Sequence, residues 1–453
     1  MAKLDLMNNK EYIASSEKLA AERLQNYRSV EAVKADLEDI NAYDNLDKVE
    51  EPKDVFTFDS DTVPEAEIER AKKTVLEGRL FCEHTAGGEA TRLKLGPKYL
   101  INPAVDLTLR RIASRMAEET GREVGVGDVR ELCGGNVPGG LLPISLGVRH
   151  MLQMVFGLRR LSEACGEDPD LVLKRQRMLI VINELLEEKV VQGFINCGFY
   201  GFDPAHVYFM SQYSYPGIDI VDGVPRYRED SPRRLHNHGQ LVMQETMEEE
   251  IFRVSPEALR TRIKREEFGR LLTEMDDKIS YNIEDLSYLA QAIDYESLAL
   301  ALKMGDQGYR MMMEIVANSE IKPQKGGLAA WDPVVNRNVM IESFQLKGLG
   351  NADIKFMNKN FNHYPHPYDS WQAVQENGLN MPVDVKGDYI YFQPVQGDIN
   401  FLVKTQFIRR SRLKPIQAWK SAVTTPLAIK AMKAQDEQPG FRELCEKIPN
   451  LLP

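Results

Sequence analysis

No apolar run in this chain of 453 residues approaches the ~20 residues that a helix needs to cross a bilayer. The phosphate loop G-x-x-x-x-G-K-[ST] is absent, and so is the dinucleotide fingerprint G-x-G-x-x-G. Cysteine is scarce: Cys82, Cys133, Cys165, Cys197 and Cys445 are odd in number and scattered. They form no CxxC pair and no zinc spacing, which excludes a disulfide scaffold and points to reduced thiols in a cytosol. Positive charge does not predominate. A net charge of −11 excludes broad binding to nucleic acid or an anionic membrane, while leaving room for a local basic pocket. The opening MAKLDLMNNKEY has neither the apolar stretch nor the cleavage site of a secretory signal, so a cytoplasmic protein is expected. There is no internal repeat and no low-complexity tract.

What is present is an ordinary globular balance, 43% hydrophobic and 28% charged, in a chain long enough for two or three domains. Residues 1–75 read as helical. NKEYIASSEKLAAERLQNY and VEAVKADLEDINAY are amphipathic, and Asp61 or Thr62 is placed to cap a third helix with Pro64 in its first turn. From about residue 80 strands alternate with helices. RMLIVINE (177–184), HVYFMSQ (206–212), YLAQAID (288–294) and MMMEIVA (311–317) are expected strands. This alternation predicts an α/β fold with a mainly parallel sheet. Ligands in such sheets sit at the carboxyl ends of strands, where Gln212 and Asp294 are expected. CGGNVPGG (133–140) holds no cation and reads better as a linker between helices than as a phosphate loop. DYIYFQPV (388–395) and INFLVKTQFI (399–408) return to β pattern before a polar helical tail. The expected division is a helical region 1–75, an α/β core 76–385 and a small α+β region 386–453.

The segment TAGGEATRLKLGPK (85–98) carries the most chemistry. Gly87 and Gly88 let backbone amides approach an anion with no Cβ in the way, and consecutive amides form a concave nest for phosphate oxygens. Arg92 and Lys98 add two positive charges to the same loop. A Gly-Gly turn after a strand is also a common structural turn. The added cations point to a polyphosphate.

Taken together, the segments of the chain resemble the UDP-sugar pyrophosphorylases, which include UTP–glucose-1-phosphate and UDP-N-acetylhexosamine uridylyltransferases. The family loop reads roughly GGxGTRLGxxGPK. Gly87-Gly88-Glu89-Ala90-Thr91-Arg92-Leu93 and Gly96-Pro97-Lys98 follow it in order, one residue shorter. VYFMSQYSYPGID mirrors the family's strand–Gln–x-x-x–Pro segment. Asn237-His238-Gly239-Gln240 mirrors G-H-G-D, and Met313-Glu314-Ile315 with Lys325-Gly326-Gly327 mirrors M-E-V…K-G-G. Asn358-Lys359-Asn360 corresponds to N-x-N, and Arg410-Ser411-Arg412-Leu413-Lys414-Pro415-Ile416-Gln417 to RSRFxPVK. The resemblance runs from about residue 75 to 420.

It implies a Rossmann-like nucleotidyltransferase core and the reaction of UTP with a sugar 1-phosphate, glucose 1-phosphate foremost, to give a UDP-sugar and pyrophosphate. It also implies Mg²⁺, held by Asp294. Gly87 and Gly88 would contact the nucleotide, Arg92 the β- and γ-phosphates, and Lys98 the α-phosphate. Gln212 would read the uracil edge; the alternative is a polar cap on a strand end. His238 and Gly239 would lie beside the sugar phosphate and uridine. His236 and His238, two apart with no third ligand, make a poor metal pair. Glu314, Asn358 and Asn360 would meet the sugar.

Several departures from the family pattern matter. Ala90 and Lys94 replace loop glycines, and Asn237 replaces the first glycine of its turn, although Asn tolerates left-handed backbone. Gln417 replaces a lysine that contacts phosphate, with Lys414 or Lys420 as candidate substitutes. Gln417 and Ala90 support an alternative function: a catalytically weak or inactive relative that binds nucleotide sugars or regulates.

Overall fold

Alternation along the strands sorts apolar side chains into two cores, one on each face of a mixed sheet. The structure is a computed structural model. It describes residues 8–59, 62–88, 94–318, 323, 325–411 and 418–452, with the backbone alone for 359–361. Twelve strands among the described residues make the sheet: β1 (Phe56–Phe58), β2 (Leu80–Thr85), β3 (Arg177–Asn183), β4 (Val207–Gln212), β5 (Ile251–Val254), β6 (Arg260–Ile263), β7 (Asp277–Asn282), β8 (Met311–Ala317), β9 (Leu328–Asp332), β10 (Arg337–Ile341), β11 (Phe356–Pro365) and β12 (Thr405–Arg410). Their order is β1-β12-β8-β11-β7-β2-β3-β4-β5-β6, with β9 joining β10 to β11.

The centre β7-β2-β3-β4 is parallel throughout, as is β1-β12-β8, and antiparallel β11 joins the two groups. In β3, Ile180 and Ile182 enter one core while Leu179 and Val181 enter the other. A strand buried on both faces needs this nearly continuous apolar run, because helices cover each side of a parallel sheet. Burying each such side chain is worth about 1.5–3 kcal/mol.

The expected strands at 177–184, 206–212 and 311–317 form as β3, β4 and β8. The one expected at 288–294 does not. Tyr288, Leu289, Ala292 and Ile293 are buried, but the segment is a 3₁₀ turn (Leu286–Leu289) followed by irregular chain. Glutamine side chains take the carbonyls that a ladder would have used: Gln153 Nε2 donates to Ala290 O at 3.1 Å, and Gln438 Nε2 to Leu289 O at 3.2 Å. Asp294 is therefore not at a strand end. INFLVKTQFI is also only partly strand, its first residues forming a 3₁₀ turn (Gln396–Phe401) before β12.

The helices that position the site are α1 (Asn9–Arg23), α2 (Glu65–Leu76), α3 (Leu146–Cys165), α4 (Asn237–Gln244), α5 (Tyr295–Asp306) and α6 (Thr425–Asp436). Helix α2 starts after Pro64 without a side-chain cap; Thr62 instead closes a turn with Asp59, and Asp61 lies outside the described residues. The first 75 residues contribute β1 to the main sheet, parallel to β12. Glycines 134 and 135, both at positive φ, and the 3₁₀ turn Pro138–Gly140 link Val126–Leu132 to α3, so CGGNVPGG is a helix connection. Helix α6 docks on α3 through a buried pair, Arg149 Nη1 to Asp436 Oδ1 at 2.6 Å.

Candidate active site

Four parallel strands end side by side at one edge of the sheet. Register pairs Asn282 with Thr85, Thr85 with Val181, and Asn183 with Gln212. Beyond these ends lies a cavity of about 220 Å³ whose wall includes Gly87, Gly88, Lys98, Gln212, His238 and Glu284. Carboxyl ends of parallel strands are where α/β sheets bind ligands. The loop after β2 begins tightly: Ala86 N donates to Val181 O at 2.8 Å, and Lys98 N returns to Gly88 O at 3.1 Å. Gly87 is tightly packed. A Cβ there would lie 3.2 Å from both Asn183 N and Gln212 Oε1.

Gln212 Oε1 thus faces the glycine turn. Its Nε2 donates to Asn237 O at 3.0 Å. The start of α4 is fixed by a ladder of glutamines at helical spacing. Gln240 Nε2 donates to Tyr213 O at 2.7 Å, Gln240 Oε1 accepts from His236 N at 2.7 Å, and Gln244 Nε2 donates to Ser211 O at 3.1 Å. These bonds tie α4 to the end of β4 and so set His238 on the cavity wall. His236 points the other way. Its Nδ1 lies 2.9 Å from Tyr12 Oη of α1, it packs on Tyr215, and burial pushes its pKa down to about 3. It is a core histidine, consistent with the poor metal pair expected from sequence.

Charge at the cavity centres on Glu284, two residues beyond β7. Lys98 forms an ion pair with it from the glycine loop, and Lys420 Nζ lies 2.8 Å from its Oε1. Burial alone pushes the Glu284 carboxyl up, but the ammonium groups of Lys420 and Lys98 outweigh it and hold it below the ordinary glutamate value. His238 has its ring open to the cavity. Desolvation in this recess lowers its pKa, Lys420 and Lys98 add to that, and Glu284 opposes it.

The remaining sequence candidates lie elsewhere. Asp294 caps α5, accepting from Ser297 N at 3.2 Å, and pairs with Arg410 Nη2 at 2.6 Å. Glu314 of β8 is 1% exposed and takes Arg410 Nε at 3.0 Å. Glu296 is 3.4 Å from Arg410 Nη1, and Ser297 Oγ is 2.6 Å from Nη2. Asp294 and Glu314 are therefore brought together, but around an arginine, and neither lines the cavity. Gly239 packs against the 394–395 backbone, where a Cβ would come within 2.5 Å of Pro394 C. Asn358 sits on β11 opposite Ile315. Arg92, Ala90 and Gln417, and the side chain of Asn360, lie outside the described residues. Two of the departures from the family glycines fall at left-handed backbone, Lys94 at φ 52° and Asn237 at φ 46°.

Sequence reasoning missed Glu284. The acidic residue that follows a central strand in this structure is Glu284, whereas Asp294 precedes a helix. Reading DKISYN (277–282) as a strand, with its apolar-polar alternation, would have found it. No described group of three His, Cys, Asp or Glu side chains is arranged to hold a metal. Glu284 is the one carboxylate among the described residues of the cavity wall. Mg²⁺ keeps several waters and takes one or two carboxylates together with substrate phosphates, so the donor set fits an ion arriving with a nucleotide.

No family model matches the sequence, and no curated protein matches it significantly. Solved structures do match by fold. The UDP-N-acetylglucosamine pyrophosphorylase from Trypanosoma brucei, solved with an inhibitor, superposes with a TM-score of 0.58 at 13% identity, covering 94% of this chain and 82% of that one. A mutant UDP-glucose pyrophosphorylase from Leishmania major, bound to UDP-glucose, gives 0.51 at 15% identity, covering 95% and 79%. The chain shares the fold of these solved structures, an α/β architecture with a Rossmann-like core. Among the described residues no helix is long and apolar enough to cross a membrane.

Proposed function

We propose that this protein is a uridylyltransferase that makes a UDP-sugar and pyrophosphate from UTP and a sugar 1-phosphate, with glucose 1-phosphate the first candidate. One observation carries the reading: the Gly87-Gly88 turn, Lys98 and Gln212 share a single cavity at the carboxyl ends of four parallel strands. The likeness in fold supports the reaction class.

In the reaction an oxygen of the sugar phosphate attacks the α-phosphorus of UTP. The new P–O bond forms as the bond to the α,β-bridging oxygen breaks, and that electron pair leaves on pyrophosphate. The attacking phosphate is already anionic, so no strong general base is needed. Catalysis consists of in-line positioning and neutralisation of charge. Gly87 and Gly88 present backbone to the nucleotide and Lys98 neutralises the α-phosphate. Arg92 takes the β- and γ-phosphates. Gln212 reads the base with Oε1; using Nε2 as well requires that atom to exchange the Asn237 carbonyl for the base. His238 stays neutral beside the sugar phosphate. Glu284 would hold a magnesium ion that arrives with the substrate phosphates, and the ion would supply charge neutralisation there. The magnesium role that the resemblance gives to Asp294 thus passes to Glu284. Glu314 stays with Arg410 and is not assigned to the sugar.

The test is pyrophosphate release from purified protein with Mg²⁺, UTP and a panel of sugar 1-phosphates, beside Arg92→Ala. Release that depends on one sugar and is lost in the variant is expected. No release with any sugar, from a protein that still binds UTP or a UDP-sugar by calorimetry, would instead establish the binding or regulatory relative that Gln417 favours.

A further inference from the structure

Helix α3 contains two glycines whose surroundings are opposite. A Cβ at Gly147 would lie 2.2 Å from the Tyr99 ring, so that ring excludes any side chain there. A Cβ at Gly157 would meet no atom within 4 Å. Glycine inside a helix is destabilising relative to alanine, and at Gly157 no neighbour demands it. What the missing side chain leaves is space. A cavity of about 350 Å³ lies between α3, the segment 290–293 and Gln438 beyond α6. Small-molecule sites span roughly 300–1,000 Å³. The cavity shares no lining residue with the strand-end cavity. Its wall is largely apolar. Met154, Gly157 and Leu161 follow one another along one face of α3, and Ile293 and Tyr295 close the other side. The amides on the wall already serve the backbone: Gln291 Nε2 donates to Ile293 O at 2.8 Å, as Gln153 does to Ala290 O and Gln438 to Leu289 O. Arg160 is the one charged side chain among the described residues of the wall. It is exposed, its guanidinium carbon is 5.6 Å from the centroid of the Phe156 ring, and it makes no ion pair among the described residues. The cation–π contact keeps the charge beside the mouth of the cavity.

We propose that this cavity is a second ligand site, built for an amphipathic monoanion: an aromatic or branched aliphatic body that carries one carboxylate or sulfonate. The apolar body fills the space beside Gly157, against Met154, Leu161 and Ile293, and the acid group meets Arg160 at the mouth. On a chain with a net charge of −11, an unpaired guanidinium is what draws an anion to one apolar hollow rather than repelling it from the whole surface. The proposal is independent of the reading of the strand-end cavity as a nucleotide site.

The probe is anilinonaphthalene sulfonate, an apolar ring system with one negative charge, titrated by fluorescence into the full-length protein. Its neutral counterpart, phenylnaphthylamine, separates charge from shape. The parent should bind both saturably at one site, the sulfonate more tightly. Gly157→Leu sets a side chain into the open space and replaces a weak helix former with a strong one. It should abolish saturable binding of both probes while the thermal midpoint holds or rises. Arg160→Gln, at an exposed position, should weaken the sulfonate about tenfold, the scale of one charge pair near a protein surface, and leave the neutral probe unchanged. Lys98→Ala, in the other cavity, should change neither affinity. No saturable binding by the parent would overturn the proposal, as would undiminished binding in a folded Gly157→Leu. Loss of binding in Lys98→Ala would overturn it by moving the probe to the strand-end cavity. Should Gly157→Leu not fold, Arg160→Gln still decides: an unchanged preference for the sulfonate over the neutral probe would overturn the proposal. The pyrophosphate-release assay bears on none of these outcomes, so either reading can fail without the other.

Discussion

Two clusters of charge flank the central strands, and they are built in opposite proportions. At the cavity, Lys98 and Lys420 share Glu284. Behind it, Arg410 is surrounded by Asp294, Glu296 and Glu314. The first cluster has spare positive charge and opens to solvent through Lys420. In the second, the guanidinium of Arg410 is 6% exposed, and Nε, Nη1 and Nη2 each meet a carboxylate. Burial lowers the Arg410 pKa, but Asp294 and Glu314 more than compensate and the net shift is upward. Charge in a motif therefore says little until its exposure is known: one group is half open to solvent through Lys420, while the other is a strut that ties β8, β12 and α5 together.

The largest expected effect lies in the strut. Arg410→Ala would take its described cation from Glu314, which is 1% exposed, and breaking a buried ion pair from one side costs about 3–5 kcal/mol. Urea denaturation should show a loss of that order. A loss below about 1 kcal/mol would mean that the cluster is solvated and that the contrast drawn here is wrong. Next comes Lys98→Ala, expected to reduce pyrophosphate release by about 10²–10³-fold with little change in urea midpoint. An unaffected rate would remove Lys98 from the mechanism.

The contrast also explains which residues were readable from sequence. The glycine turn, Lys98, Gln212 and His238 stood out because each belongs to a compact motif, and all of them reach one cavity. β3, β4 and β8 were legible because a strand buried on both faces must be an unbroken apolar run. YLAQAID misled for the same reason. Burial makes the run apolar, but glutamines from α3 and the C-terminal segment satisfy its carbonyls in place of a ladder. That misreading moved the acidic strand-end position from Glu284 to Asp294. Lys420 was visible only as one of two candidate substitutes for the missing lysine at 417, since nothing local announces that Trp419 will pair with Glu284 across 135 residues of chain. Long-range pairing of this kind leaves no periodic trace.

Proton binding separates the two clusters more gently. The Glu284 carboxyl lies below its ordinary value in the fold, so the unfolded chain binds its proton first as pH falls. Its pairing contributes fully above the unfolded pKa of about 4.3 and is lost as pH drops through the lower, folded value. Glu284→Gln should therefore flatten the acid limb of the stability–pH curve. His238, with a lowered pKa, should titrate by NMR below the ordinary histidine value of about 6.5. A midpoint above it would mean that Glu284, freed of its lysines, governs the ring.

The smallest effect tests the loop that brings Lys98 to the cavity. Lys94 adopts φ 52°, a left-handed conformation that costs an L-residue roughly 1–2 kcal/mol. Its side chain offers little in return: it is 62% exposed, and the nearest carboxylate, Glu118, is 3.8 Å away, a surface pairing worth at most about 1 kcal/mol. Glycine removes the backbone strain but brings back roughly 0.5–1 kcal/mol of unfolded-state entropy. Lys94→Gly should then leave stability unchanged or raise it by up to about 1 kcal/mol in urea, whereas Lys94→Val, branched at Cβ, should lower it. Equal stability of the glycine and valine variants would mean that the turn is not held left-handed. The approach of Lys98 to Glu284 would then have to be set by Gly88 and Pro97 alone.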